Sequence, residues 1–211
     1  MSFYEEGYDD RDSRSDEVRR RRAAQARSRR NRRAGLEFEE RMFARRSRYL
    51  VLFLTLNYKP EYREDVTLGA IQRHRDRFLD YMGNDNHPLL GQIDGLIWKL
   101  EEGQRSGGLH LHLLIFYSGQ RRADVMIARQ LGEYWSGTIT RGCGAYRNSN
   151  ADKERMDYRW GAGVGQVNRH RDSKRDSLQL VIENYMAKSN QVPRERTKDD
   201  KLFGTRDFGR R

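Results

Sequence analysis

Gly108-Leu109-His110-Leu111-His112-Leu113-Leu114-Ile115-Phe116 is an apolar run broken only by two histidines with one residue between them. Side chains of a strand alternate between faces, so His110 and His112 project from the same side and their ring nitrogens can converge on one ion. Just upstream, Ile93 to Leu100 is a second apolar segment, closed by Glu101-Glu102 and the glycine-rich Gly103-Gln104-Arg105-Ser106-Gly107-Gly108. Two such runs joined by a short polar loop predict a β-hairpin, which brings a carboxylate of the first strand beside the imidazoles of the second. The pattern predicts a metal site. The competing reading is a pair of core histidines satisfied by hydrogen bonds or packing.

With 211 residues the chain can hold one domain and a tail. Hydrophobic residues make up 36%, a low share that suffices for a core only because it concentrates between residues 49 and 190. Lys+Arg number 42 against 31 Asp+Glu, a net charge of +11, so an extended polyanion is the natural partner class, either nucleic acid or an anionic membrane surface. The single cysteine, Cys143, excludes an intramolecular disulfide and a cysteine zinc cluster and fits a reducing cytosol. No window approaches the roughly 18 apolar residues of a membrane-spanning helix, and the N-terminus has no apolar signal core. The expectation is a soluble, cytoplasmic protein.

Residues 1–48 show almost no apolar periodicity, and Arg19 to Arg33 holds nine arginines and no acid. Such a block predicts a disordered or nascent-helical arm, either a solubilising tail or a phosphate-binding element using Arg19, Arg20, Arg21, Arg22, Arg29, Arg30, Arg32 and Arg33. Tyr49 to Tyr58 is a continuous apolar run stopped by Lys59-Pro60, the pattern of a central strand. Thr67 caps a predicted helix with Leu68, Ile71, Arg75, Phe78, Leu79 and Met82 on one face. His74 and His87 read as surface positions.

After the hairpin, Ala123 to Trp135 predicts a helix, and residues 136–160 predict a long loop with some strand near Thr138-Ile139-Thr140. Gly161-Ala162-Gly163-Val164-Gly165 lacks the Gly-Lys-Ser/Thr of a phosphate loop and reads instead as the entry to a strand, Val164 to Asn168. His170 follows among charges. Asp176 then caps a last helix in which Leu178, Ile182 and Tyr185 share a face and Lys188 sits one turn on. The competing reading is an interfacial tyrosine with a snorkelling lysine. Residues 191–211 read as a basic tail. The order predicts an α+β fold: an antiparallel sheet of four to five strands with helices, in a split β-α-β (ferredoxin- or RRM-like) arrangement over residues 49–190.

Phe53-Leu54-Thr55-Leu56, His110-Leu111-His112 and Tyr185-Met186-Ala187-Lys188 stand in the order of the three sequence blocks of HUH endonucleases, which initiate rolling-circle replication. With Trp98-Lys99-Leu100-Glu101-Glu102-Gly103, the chain resembles most the replication proteins of filamentous phages. The resemblance implies a one-tyrosine enzyme that nicks and joins DNA: Tyr185 as nucleophile, Lys188 assisting, and His110, His112 and a glutamate holding Mg²⁺ or Mn²⁺. The Glu-Glu-Gly placement resembles that of small circular-DNA replication proteins, which implies Glu102 as third ligand, with Glu101 as the alternative because sequence does not fix the hairpin register. It further implies single-stranded or hairpin origin DNA as substrate, a host helicase and DNA polymerase as partners, and the bacterial cytoplasm. The alternatives are a single-strand transposase or mobilisation relaxase of the same chemistry, a non-catalytic nucleic-acid-binding module, and a membrane-surface binder using the arginine arm.

Overall fold

The Tyr49–Tyr58 run is apolar at successive positions because it is buried on both faces, as an inner strand of a six-stranded antiparallel sheet. The structure, a computed structural model, describes residues 9–103, 108–155, 162–170, 172–189 and 191–209. The chain forms α1 (Asp9–Arg45), β1 (Arg48–Tyr58), α2 (Leu68–Met82), β2 (Ile93–Gly103), β3 (Gly108–Ser118) and α3 (Asp124–Tyr134). It continues with β4 (Gly144–Asn148), β5 (Gly165–Asn168), α4 (Asp172–Val181) and β6 (Phe203–Asp207). The hairpin loop 104–107 lies outside the described residues.

The strand order β4-β1-β3-β2 is that of a β-α-β-β-α-β ferredoxin-like core, with β6 added beside β2 and β5 sharing with β4 the outer edge of β1. β5 pairs with Arg48–Val51 and β4 with Leu54–Tyr58. Asn150 fills the gap between them: its Oδ1 accepts the Phe53 N–H at 2.8 Å and its Nδ2 donates to Val51 O at 3.0 Å. Asn150 thereby satisfies two β1 backbone groups between the segments paired with β5 and β4.

One face of the sheet buries Leu50, Leu52, Leu54 and Leu56 with Leu111, Leu113 and Ile115 under α2 and α3. Thr67 caps α2 as expected, its side chain accepting the Ala70 N–H at 3.2 Å, and all six positions of the anticipated apolar face are buried. Arg75 among them lies 4.3 Å from the Trp98 ring centre and donates to Lys201 O. His74 and His87 are half-buried rather than on the surface: Tyr58 Oη meets His74 Nδ1 at 2.7 Å, and His87 Nδ1 accepts the N–H groups of Leu89 and Leu90.

The opposite face buries Tyr49, Val51, Phe53, Ile97, Leu114 and Phe116 under α1 and α4. This corrects the reading of residues 1–48 as an arm apart from the domain. Gly35, Phe38, Glu39, Met42 and Phe43 recur at steps of three and four and are all buried. Two of those five positions are a glycine and an acid, so the stripe reads as polar in sequence. The glycine is required by packing: a Cβ at Gly35 would stand 2.7 Å from Ile182 Cγ2. Glu39 is paid for by Arg175, whose Nε and Nη2 donate to it at 2.8 and 3.1 Å.

Four further expectations are revised. Residues 135–139 form a π-helical turn instead of strand near Thr138-Ile139-Thr140, because the chain continues α3 and buries Trp135 and Ile139. β4 emerges from a stretch read as loop, and α4 begins at Asp172 rather than after an Asp176 cap. Beyond Asn190 the chain ends in β6, which pairs with β2 from Gly95↔Asp207 to Lys99↔Phe203.

Candidate metal centre

The hairpin register settles which glutamate faces the histidines. Glu101 is opposite His110 and Lys99 opposite His112, while on the other side of β3 Thr55 is opposite His112. Cross-strand partners share a face, so Thr55, His112, Lys99, His110 and Glu101 gather on the face covered by α1 and α4. Glu101, His110 and His112 each offer a ligand atom, all within 4.8 Å of one another, and they form a group able to hold a metal ion. Glu102, favoured from sequence, is corrected. Its place one residue on turns it to the other face opposite Leu109, where its carboxylate accepts the Arg194 N–H at 2.7 Å.

Glu101 Oε2 lies 3.2 Å from His112 Nε2 and 3.8 Å from His110 Nε2. Donors around one ion at bond lengths near 2.1 Å stand roughly 3.0–3.4 Å apart, so small side-chain shifts bring these three onto a common centre. The ring orientations suit that use. His110 Nδ1 is 3.1 Å from Gly108 O, an atom that can only accept, so Nδ1 carries the proton and Nε2 keeps its lone pair. His112 Nδ1 is engaged by Thr55 Oγ1 at 3.0 Å, which turns its Nε2 toward the carboxylate.

Burial pushes the His112 imidazole down to about 4, with the neighbouring His110 and Lys99 adding to the effect against Glu101. Burial likewise lowers His110. Burial alone would raise Glu101, but the hydrogen bond from His112 and the charge and hydrogen bond of Lys99 outweigh it and hold the carboxyl below its ordinary value. At neutral pH the group therefore presents two neutral imidazoles and one carboxylate, the protonation states a cation needs. A closed structural zinc site takes four protein ligands, and among the described residues this group supplies three. Three leave positions open for small ligands.

Lys99 is the residue that sequence reasoning missed. It is buried, and its Nζ lies 2.9 Å from Glu101 Oε1 and donates to Tyr185 O at 2.7 Å. It thereby occupies one carboxylate oxygen and leaves Oε2 to the imidazoles. Burial pushes its own pKa down against the pull of Glu101, and Lys188 adds to the lowering. The signal was present: a lysine two residues before a glutamate, on the same face of a strand and within the apolar run Leu96 to Leu100.

Tyr185 reaches the group from above. α4 passes into a π-helical turn, Ile182–Met186, closed by Ala187 N–H to Ile182 O at 2.8 Å. The turn sets the tyrosine ring edge-on to His112 and Phe53, with centroids 5.0 and 5.4 Å away and Lys99 Nζ 5.0 Å from its centre. Its hydroxyl stands 3.4 Å from His112 Nε2. Lys188, expected on the packed side with Tyr185, is exposed. His170 is exposed as well.

The eight arginines singled out on the arm are all exposed on α1. Three are held in ion pairs: Arg19 with Asp16, Arg32 with Glu183 and Arg33 with Glu37. No helix among the described residues is long and apolar enough to cross a membrane. No family model, no curated protein and no solved structure matches the chain.

Proposed function

We propose that the chain is a metal-dependent DNA strand transferase that nicks and rejoins single-stranded DNA through a phosphotyrosine, initiating rolling-circle replication of a phage or plasmid-like element. The observation that carries the reading is the Tyr185 hydroxyl 3.4 Å from His112 Nε2, at the edge of the imidazole and carboxylate group. A histidine pair serving only the core has no need of a phenol set beside it. The order of the three motifs, which resembles that of HUH endonucleases, points the same way.

Glu101, His110 and His112 would hold Mg²⁺ or Mn²⁺. When bound, the ion supplies Lewis acidity that polarises a phosphodiester and neutralises its oxygens. The remaining chemistry belongs to the chain. A phenol is a weak nucleophile, and the Lys99 Nζ 5.0 Å from the ring centre sets positive charge beside the attacking group. Tyr185 Oη attacks phosphorus, the Oη–P bond forms and the P–O3′ bond breaks. The phenol gives up its proton to bulk water, and the departing 3′ oxygen takes one from bulk water. A 5′-phosphate remains on Tyr185, and the free 3′-hydroxyl can prime a polymerase brought with a host helicase. Attack by that hydroxyl in reverse rejoins the strand. Lys99 anchors the Tyr185 carbonyl, so the phenol pivots on a fixed backbone, and the exposed Lys188 meets the approaching phosphates.

The test is incubation with Mn²⁺ and a library of single-stranded DNA containing hairpin-forming members, read as a covalent protein-DNA band on a denaturing gel. Wild type forms the band, and Tyr185→Phe, His112→Ala and wild type in chelator do not. An adduct that survives in Tyr185→Phe removes the tyrosine from its role, and no adduct in wild type with any library member removes the nuclease reading.

A further inference from the structure

α1 is one helix of 37 residues with two unlike halves. From Gly35 onward it is docked on the sheet, whereas residues 15–23 are exposed without exception. Arg19, Arg20, Arg21 and Arg22 follow one another there, and at about 100° per residue they point to four sides of the cylinder. A helix that binds a membrane surface needs an apolar face, and this segment has none. Arg19 pairs with Asp16, and positive charge on the three remaining sides, from Arg20, Arg21 and Arg22, suits a groove whose walls are both lined with phosphates. The major groove of B-form DNA is about 12 Å wide and admits a helix of about 10–12 Å.

The place where the basic segment is anchored matters as much as its charge. Arg27 Nε donates to Ser189 Oγ at 3.0 Å, the Ser189 N–H donates to Ser28 Oγ at 3.1 Å, and Asn31 Nδ2 donates to Ala187 O at 3.4 Å. Arg32 pairs with Glu183 at 2.7 Å. The segment is thus fixed to the residues on either side of Tyr185. From Ser28 it runs outward nine residues to Arg19, about 14 Å or roughly four base-pair steps.

We infer that the exposed half of α1 enters the major groove of a duplex adjoining the single strand held at Tyr185, such as a hairpin stem in the DNA being cut. It grips that duplex through its phosphates. The inference rests on the strand-transfer reading for its account of why single strand and duplex meet at this point. The grip is sequence-independent and salt-sensitive, because each phosphate neutralised releases counterions.

The test separates binding from chemistry by using full-length Tyr185→Phe, with fluorescence anisotropy from 50 to 200 mM salt. The probes are a DNA hairpin with a 12-base-pair stem and single-stranded tail, and an unpaired strand of equal length. The hairpin binds more tightly, and adding Arg20→Gln, Arg21→Gln and Arg22→Gln abolishes the preference. Losing three phosphate contacts flattens the log-log salt slope by about 2.7, so over that range the parent loses about 40-fold more affinity than the triple variant. Circular dichroism of the triple variant checks that the helix is retained. An unchanged hairpin affinity and slope in the triple variant, equal binding of hairpin and unpaired strand, or preference for an RNA hairpin or phosphatidylserine vesicles overturns the inference. Adducts without a hairpin preference remove this inference alone, and a hairpin preference without adducts removes the strand-transfer reading alone.

Discussion

The pair formed by Glu39 and Arg175 allows the docking of α1 to be tested by an asymmetry. Glu39 has no exposed surface, and it accepts from Arg175 Nε at 2.8 Å, Arg175 Nη2 at 3.1 Å and Gln179 Nε2 at 3.3 Å. The arginine side chain is 22% exposed and stands 4.8 Å from the centre of the Phe43 ring. Arg175→Met leaves a buried carboxylate with a single long amide contact and is expected to cost about 3–5 kcal/mol. Glu39→Gln keeps an acceptor at the same place and leaves an arginine that still reaches water, at a cost of about 1–2 kcal/mol. Glu39→Leu with Arg175→Met replaces the pair by apolar side chains and should return to within about 1 kcal/mol of wild type. The assay is guanidinium unfolding followed by far-ultraviolet circular dichroism at fixed pH and salt, with unchanged m values as the sign that the native fold is kept. If Arg175→Met costs no more than Glu39→Gln, the carboxylate is in water and α1 is not on the sheet.

Glu101→Gln is expected to weaken Mn²⁺ binding at least about 100-fold in calorimetry, and Glu102→Gln less than threefold; the reverse order would return Glu102 to the site. Thr55→Val, which takes away the partner of His112 Nδ1, should weaken the ion by about 10–100-fold as the loss of an outer-shell support does, and unaltered affinity would show the ring to be held by packing alone. Gly35→Val drives a side chain into Ile182, three residues before Tyr185, so it should destabilise the fold by about 1–3 kcal/mol and cut adduct formation more than DNA binding. Arg45 holds the Asp207 carboxyl below the usual carboxylate range by its hydrogen bond. A depressed folded-state pKa gives stability that is present above the unfolded value near 4 and lost as pH falls through the folded one. Both side chains are about a third exposed, so Asp207→Asn should cost under about 1 kcal/mol at pH 7, a deficit that shrinks below pH 4; one that grows on acidification would contradict the pairing.

The parts legible in the sequence are those whose side chains obey a single period. β1 and β3 carry continuous apolar runs, Tyr49–Leu54 and Leu113–Tyr117, α2 has a capped face at helical spacing, and two histidines two residues apart in a strand share a side whatever the register. The choice of glutamate was not legible, since Glu101 and Glu102 differ only in which face they take, and that is fixed by pairing across a loop whose length alone does not set the register. The docked half of α1 was hidden because its buried stripe contains Gly35 and Glu39, whose reasons lie on another element, in Ile182 and Arg175. β6 was hidden because an edge strand of five residues needs only the open side of β2 to form.

The two faces of the sheet divide the work, and that division explains why the polar site costs the fold little. Under α2 and α3 the core is almost wholly apolar and supplies hydrophobic stabilisation without reference to the site. Under α1 and α4 the buried polar groups have mutual partners: Lys99 with Glu101 and the Tyr185 carbonyl, His112 with Thr55 and Glu101, and Glu39 with Arg175. Partnered groups of this kind escape the desolvation penalty of isolated ones, yet each ties two or more elements to a single geometry. Lys99 connects β2 to the turn bearing Tyr185, and Glu39 connects α1 to the helix leading into that turn. The turn that bears the phenol is therefore tied from two sides, by the strand that carries the carboxylate and, through α4, by the helix that carries the arginines.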